Sequence, residues 1–225
     1  MNYTNAVFHM SSNSYLIAIS GQSCSGKSYV TKRVAETARH IFNPNMVEFD
    51  INDNISKLQQ DSYYNGGNEN TNFDEPSSID WDLMIKHIIE LKNGNPIDVP
   101  IYNFETHSRT EKTERIYPSK VLIIEGTMVL TIEKIRSLCN LKVYVSACPE
   151  LMYMRRLKRD VRERGRSEEE VNIRYFRDVV PSAEHYTKPT MQYADIILMN
   201  NNNNHQFVGL SLLLDHVEKK VQTLK

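Results

Sequence analysis

The chain has 225 residues, 40% of them hydrophobic and 24% charged, with a formal net charge of −1. This length suits one domain with a substantial core, and the composition is that of a soluble globular protein. Near-neutral charge excludes bulk electrostatic attraction to nucleic acid or to a membrane surface, and no apolar run is long enough to span a bilayer.

Residues 1–14 are polar and contain no signal-peptide core, so a loose leader and a cytoplasmic location are expected. The run Leu16-Ile17-Ala18-Ile19 reads as a buried strand, and Tyr29 to Ile41 as a helix ended by Asn43-Pro44-Asn45. Between them Gly21-Gln22-Ser23-Cys24-Ser25-Gly26-Lys27-Ser28 has the G-x-x-x-x-G-K-[ST] spacing of a phosphate-binding loop. Backbone N–H groups of such a loop and the positive end of the following helix, which Tyr29 helps open, point at one anion. Lys27 then reaches the β- and γ-phosphates, and Ser28 binds the Mg²⁺ that travels with them. The motif therefore predicts a nucleoside-triphosphate site. Cys24, inside the loop, reads as a small turn-filling residue. With Cys139 and Cys148 it makes three distant cysteines without metal-ligand spacing, which fits a reducing compartment.

Met46 to Asn54 is ambiguous between a strand entry and an insertion. Ile55 to Gln60 reads as a second strand that delivers Asp61 at its end. Tyr63 to Ser78, rich in Asn, Gly, acidic and aromatic residues, reads as a long functional loop. Ile79 to Lys92 has helical periodicity closed by Asn93-Gly94. A small β flap follows, about residues 96–118, with a strand at Ile97 to Phe104, a loop at Glu105 to Glu114 and a second short strand at Arg115 to Tyr117. Val121 to Ile124 is an unbroken apolar run ending in Glu125-Gly126, as in a central parallel strand. Then come a short helix at Thr131 to Leu138, a strand at Leu141 to Val145, and a helix from Pro149-Glu150 that becomes strongly basic. A further helix is expected from Glu168 to Val180, a last strand at Ala194 to Leu198, and a closing helix at His205 to Val221. The asparagine tract Asn200 to Asn204 reads as a solvated loop.

Strands alternating with helices predict an α/β fold: a parallel sheet flanked by helices, in one domain spanning 15–225. Ligands of such sheets bind at the strands' C-terminal ends, so the phosphate loop, Asp61 and Glu125 are expected to share one crevice. Glu125 occupies the acidic position that holds Mg²⁺ directly or through water. Asp61 is the candidate general base toward an acceptor hydroxyl. In the tract 155–166, Arg156 and Arg159 fall on one helical face, and Arg164-Gly165-Arg166 reads as a break. We expect an arginine-rich helical lid, about 155–170, that clamps the γ-phosphate and excludes water.

On these residues the chain resembles the uridine kinases (uridine–cytidine kinases) of the nucleoside-monophosphate-kinase-like P-loop group. The matching motifs are Gly21 to Ser28, Gln60-Asp61-Ser62-Tyr63-Tyr64, Asn72-Phe73-Asp74 with Pro76, and Tyr102 to Arg109. They continue in Glu125-Gly126, Arg155 to Arg166, Pro181, Pro189 and Tyr193 to Ile197. The resemblance implies transfer of phosphate from ATP or GTP to the 5′-hydroxyl of uridine or cytidine, with Asp61 as base. It implies that Asp74 and Arg156 hold the ribose hydroxyls, and that Tyr64, Phe73, Tyr102, Phe104, His107 and Arg166 form the nucleoside pocket. Arg159 and Arg164 face the phosphates, and a homotetramer is expected. Arg174 stands where that family usually has a nucleoside-facing glutamine; Asn103, Glu75, Thr127 and Met199 are further departures. A nicotinamide riboside kinase, a phosphoribulokinase-like enzyme and a non-catalytic nucleotide-binding protein are the alternatives. A GTPase switch is disfavoured because no Asn-Lys-x-Asp motif is present.

Overall fold

The computed structural model describes residues 14–42, 54–201 and 207–224. Five parallel strands form its central sheet: β1 (Tyr15–Ser20), β2 (Ile55–Gln59), β5 (Val121–Glu125), β6 (Leu141–Ser146) and β7 (Ile196–Met199), in the order β2-β5-β1-β6-β7. β3 (Ile97–Asn103) and β4 (Ser108–Ile116) make a separate antiparallel hairpin. The helices are α1 (Lys27–Phe42), α2 (Trp81–Lys92), α3 (Glu133–Leu138), α4 (Pro149–Glu163), α5 (Glu168–Arg174), α6 (Val180–Ser182) and α7 (Val208–Gln222).

The sheet is apolar on both faces, because helices cover both. Along β1, Ile17 and Ile19 enter a core shared with Val30, Val34 and Ala38 of α1 and Leu213 and Val217 of α7. Leu16 and Ala18 enter the opposite core, with Met84, Ile88 and Leu91 of α2 and Leu122 and Ile124 of β5. This alternation is the period-two signature of a strand buried on both sides.

Several boundaries differ from expectation for local reasons. The second strand stops at Gln59, and Asp61 lies in a 3₁₀ turn, Gln60–Tyr63. The third helix begins at Glu133 rather than Thr131. α2 begins at Trp81 because Asp80 caps it, its side chain accepting from the Leu83 N–H at 3.0 Å. The hairpin's second strand is far longer than Arg115 to Tyr117: it has nine mostly exposed residues, polar but for Ile116, and pairs with β3 from Asn103↔Ser108 to Ile97↔Ile116 with one register shift between Pro100 and Tyr102. Composition hid it, since neither face alternates.

The helix expected to stop at Pro181 instead runs on. π-helical turns at Tyr175–Val179 and Ala183–Thr187 flank α6, and their wider hydrogen bonding accommodates the proline. The closing helix is Val208–Gln222. Expectations for residues 1–13, 43–53 and 202–206 lie outside the described residues, including the leader, the Asn43-Pro44-Asn45 stop, most of the ambiguous Met46 to Asn54 stretch and the His205 start.

Candidate active site

The strand register assembles the site. Glu125 pairs with Ile19 of β1 on one side and Gln59 of β2 on the other. Two residues past each partner come Gly21 and Asp61, so the phosphate loop and the turn bearing Asp61 flank Glu125 at one sheet end. Gln60, fully buried, holds this arrangement: its Oε1 accepts from the Met128 N–H at 2.8 Å and its Nε2 donates to Thr127 Oγ1 at 3.3 Å. A Cβ on Gly126 would lie 2.4 Å from the Gln60 side chain, so that turn requires glycine.

The loop has the strained backbone that cradles anions. Gly21 (φ +140°) and Gly26 (φ +103°) occupy the left-handed region, and so does Cys24 at φ +63°. Lys27 Nζ donates to the Gln22 carbonyl at 2.9 Å. Burial lowers its pKa, opposed by Glu125, Cys24 and Asp61 and reinforced by Arg159. No acidic residue lies in the first turn of α1, so the helix N-terminus is left for an external anion. Ser28 Oγ donates to Glu125 Oε1 at 2.6 Å.

A cavity of about 480 Å³ opens above the loop. Its floor is Ser23, Cys24, Gly26, Lys27, Ser28 and Tyr29, with Asp61 and Glu125 beside them. Gly21 and Ser25, expected at the nucleotide, lie behind this wall. A Cβ on Gly21 would be 2.1 Å from the Val145 carbonyl oxygen, and Ser25 is fully buried.

From the opposite side α4 contributes Arg155, Arg156 and Arg159, followed by Arg164 directly after the helix end and Arg166 past the break at Gly165 (φ +65°). Asp160, which carried no expectation, organises them. It is fully buried, accepts from Arg159 Nε at 2.8 Å, and ion-pairs with Arg156 (3.4 Å), Arg164 (3.5 Å) and Arg166 (4.0 Å). The Arg156 contact is Coulombic without hydrogen-bond alignment. Burial alone would raise the Asp160 pKa, but the guanidiniums, Arg159 foremost, hold it below the usual carboxylate value. An acidic residue inside a basic run, four residues from both Arg156 and Arg164, was its sequence signal. Arg156 also reaches the loop, donating to Ser23 Oγ at 3.1 Å.

The far end of the cavity is aromatic. Phe73 stacks on His107 with ring centroids 5.0 Å apart, and Tyr64 contacts both Phe73 (5.5 Å) and Tyr102 (5.2 Å). Phe104 meets Tyr102 edge-on and carries the Arg164 guanidinium 4.5 Å above its ring. The Tyr102 hydroxyl is buried without a partner among the described residues. His107 sits at the hairpin turn with φ +50°, and burial, Arg174 and Arg166 lower its pKa. Arg174 is buried and lines the cavity, its Nε 3.1 Å from Glu170. Asp74 also lines it; burial raises its pKa despite Arg156 nearby. The structure adds Asp178 to this wall. Arg109 does not line the cavity: it staples the hairpin to the turn after β2, donating to the Tyr63 and Tyr64 carbonyls and pairing with Asp80.

The cavity thus joins a phosphate cradle to an aromatic slot, with Asp61 between them. Ser28, Glu125 and Asp61 offer one hydroxyl and two carboxylates, hard oxygen donors suited to a Mg²⁺ ion that keeps waters and phosphate oxygens as its other ligands. Among the described residues, no group of three or more His, Cys, Asp or Glu side chains is placed to hold a metal, and no helix is long and apolar enough to cross a membrane.

Residues 16–205 match the model of the phosphoribulokinase/uridine kinase family. The chain is 35% identical over 222 residues to a uridine kinase of Bacillus subtilis (strain 168), covering 96% of this chain and 97% of that protein. It is 37% identical over 202 residues to a uridine kinase of Haemophilus influenzae (strain PittEE), covering 87% and 91%. Among solved structures, a possible uridine kinase from Bacillus stearothermophilus superposes with a TM-score of 0.56 at 17% identity, covering 82% of this chain and 88% of that one. The YGR205w protein gives 0.57 at 16%, covering 86% and 87%. At these identities the two structures speak for the fold alone.

Proposed function

The chain belongs to the phosphoribulokinase/uridine kinase family, and from that premise we propose that it phosphorylates the 5′-hydroxyl of uridine and cytidine, with ATP or GTP as donor. The observation that carries this reading is the continuity of the cavity: Lys27 and Ser28 at one end, Asp74 and the aromatic slot at the other, and Asp61 between.

In the proposed reaction the loop amides, the α1 N-terminus and Lys27 hold the donor phosphates. Asp61 accepts the proton of the 5′-hydroxyl as its oxygen attacks the γ-phosphorus. The bond to the β–γ bridging oxygen breaks, and the nucleoside diphosphate leaves. Mg²⁺, held by Ser28, Glu125 and Asp61, would neutralise charge on the β- and γ-oxygens when bound. Arg159 and Arg164 spread positive charge over the transferring group, and the arginine-bearing end of α4 acts as a lid that keeps water from competing as acceptor. Asp74 accepts from the ribose cis-diol, with Arg156 beside it, which disfavours deoxyribose. The aromatic side chains and His107 hold the pyrimidine, and neutral His107 offers O4 of uracil a donor or N4 of cytosine an acceptor by choice of tautomer.

An ADP-release assay across uridine, cytidine, their deoxy forms and nicotinamide riboside tests this. Stimulation by uridine and cytidine is expected, and no response to any nucleoside overturns the reading. For Asp74→Ala we expect the nucleoside KM to rise by roughly 10- to 100-fold with a smaller change in kcat; an unchanged KM refutes the ribose role. Because the Asp74 pKa is raised, protonation at the acid end should weaken nucleoside binding already above the ordinary carboxylate pKa of about 4. A KM–pH profile of the wild type should show that limb, and Asp74→Asn should abolish it.

A further inference from the structure

The asparagine tract opens with a residue that is not solvated. Asn200 is fully buried, directly after β7, and its Nδ2 donates to the Ser25 carbonyl at 2.8 Å. Its backbone N–H donates to the Ser146 carbonyl at 2.7 Å, and its own carbonyl accepts from both terminal nitrogens of Arg155 at 3.4 Å. One residue thus touches the phosphate loop, the end of β6 and the arginine-bearing helix α4.

Two features mark the amide as more than filler. Its Oδ1 is buried without a partner among the described residues. An orphaned amide oxygen in the interior is destabilising, so packing alone favours an apolar side chain at this position. The single hydrogen bond it makes also falls on a critical peptide. The Ser25 carbonyl and the Gly26 N–H belong to the same planar trans unit and point in opposite directions. Holding the carbonyl down toward Asn200 turns the Gly26 N–H up toward the cavity that Gly26 lines. A Cβ on Gly26 would lie 2.1 Å from Asn200 Nδ2, so the close approach also dictates the glycine.

We propose that Asn200 is a positioning residue for the donor nucleotide: its amide fixes the Ser25–Gly26 peptide so that the Gly26 N–H meets the phosphates, and its carbonyl ties that peptide to Arg155 of α4. Asn200 does not line the cavity and acts through the loop. The inference rests on the nucleotide-binding reading of the loop and is independent of which nucleoside is phosphorylated.

The test is calorimetric titration of MgATP into the full chain, alongside steady-state kinetics with uridine. In Asn200→Ala the Kd for MgATP and the donor KM should both rise about tenfold, the loss of one hydrogen bond to a buried carbonyl. The nucleoside KM should stay within about twofold, because that subsite lies at the other end of the cavity. Asn200→Leu keeps the branched shape without the donor and should show the same donor-specific defect. Wild-type MgATP affinity in the folded Leu variant, or an equal rise in both KM values, overturns the proposal. So does loss of the fold in both variants, which would make Asn200 a stability residue. If wild type binds MgATP but phosphorylates no nucleoside, the proposed activity fails while the role of Asn200 is still decided by binding.

Discussion

Asp61→Asn is expected to lower kcat by roughly 10²–10⁴-fold, the range of a positioned general base, while nucleoside binding stays near wild type. The amide has the carboxylate's shape and keeps an acceptor oxygen toward the 5′-hydroxyl, but it cannot take the proton. The backbone around it should not move, because the turn Gln60–Tyr63 is held by the buried Gln60 and not by the Asp61 side chain. Measuring kcat together with equilibrium uridine binding separates the two effects. Near-normal turnover in this variant would remove Asp61 from the base role.

Asp160→Ala is expected to have the second-largest effect, on stability and turnover together. It removes the shared counter-ion of Arg156, Arg159, Arg164 and Arg166 and leaves like charges facing each other beside the phosphate loop. Breaking a buried ion cluster at one partner is destabilising by about 3–5 kcal/mol. Urea unfolding should show that loss, and kcat should fall with it as the guanidiniums splay from the phosphate position. The sign of the pH dependence follows from the lowered Asp160 pKa. The carboxylate's contribution is fully present above its unfolded value of about 4 and is lost as pH falls through the lower folded value. Wild type should therefore lose this increment only below about pH 4, and Asp160→Asn should be less stable than wild type at neutral pH with a flatter acid limb. Wild-type stability and turnover in Asp160→Ala would refute the organising role.

Much of the fold was legible because its signals are local. The runs at 16–19 and 121–124 are apolar throughout, and 141–145 is apolar but for Lys142, because both faces of a parallel sheet are covered, and each forms a strand. The hairpin's second strand was not legible because β4 is polar on both faces but for Ile116, so pairing with β3 makes it a strand. The run through Pro181 was not legible because π-helical hydrogen bonding leaves no mark on composition.

The same division holds at the site. Spacing within a few residues marked the phosphate loop, Asp61 after the second strand, the strand-end Glu125 and the basic tract, since each lies in a short contiguous motif; the 3₁₀ turn that carries Asp61 was not marked. Only the tertiary structure decided that Asp160 gathers four arginines, that Arg109 staples the hairpin and not the ligand, and that Asn200 sits beneath the phosphate loop. Those roles depend on partners that sequence does not align: Asn200 meets a carbonyl 175 positions away, and Asp160, besides Arg156 and Arg164 at four-residue spacing, meets Arg166 beyond the break at Gly165. A motif states which groups carry charge; the packing of the sheet and of α4 decides which of them face one another.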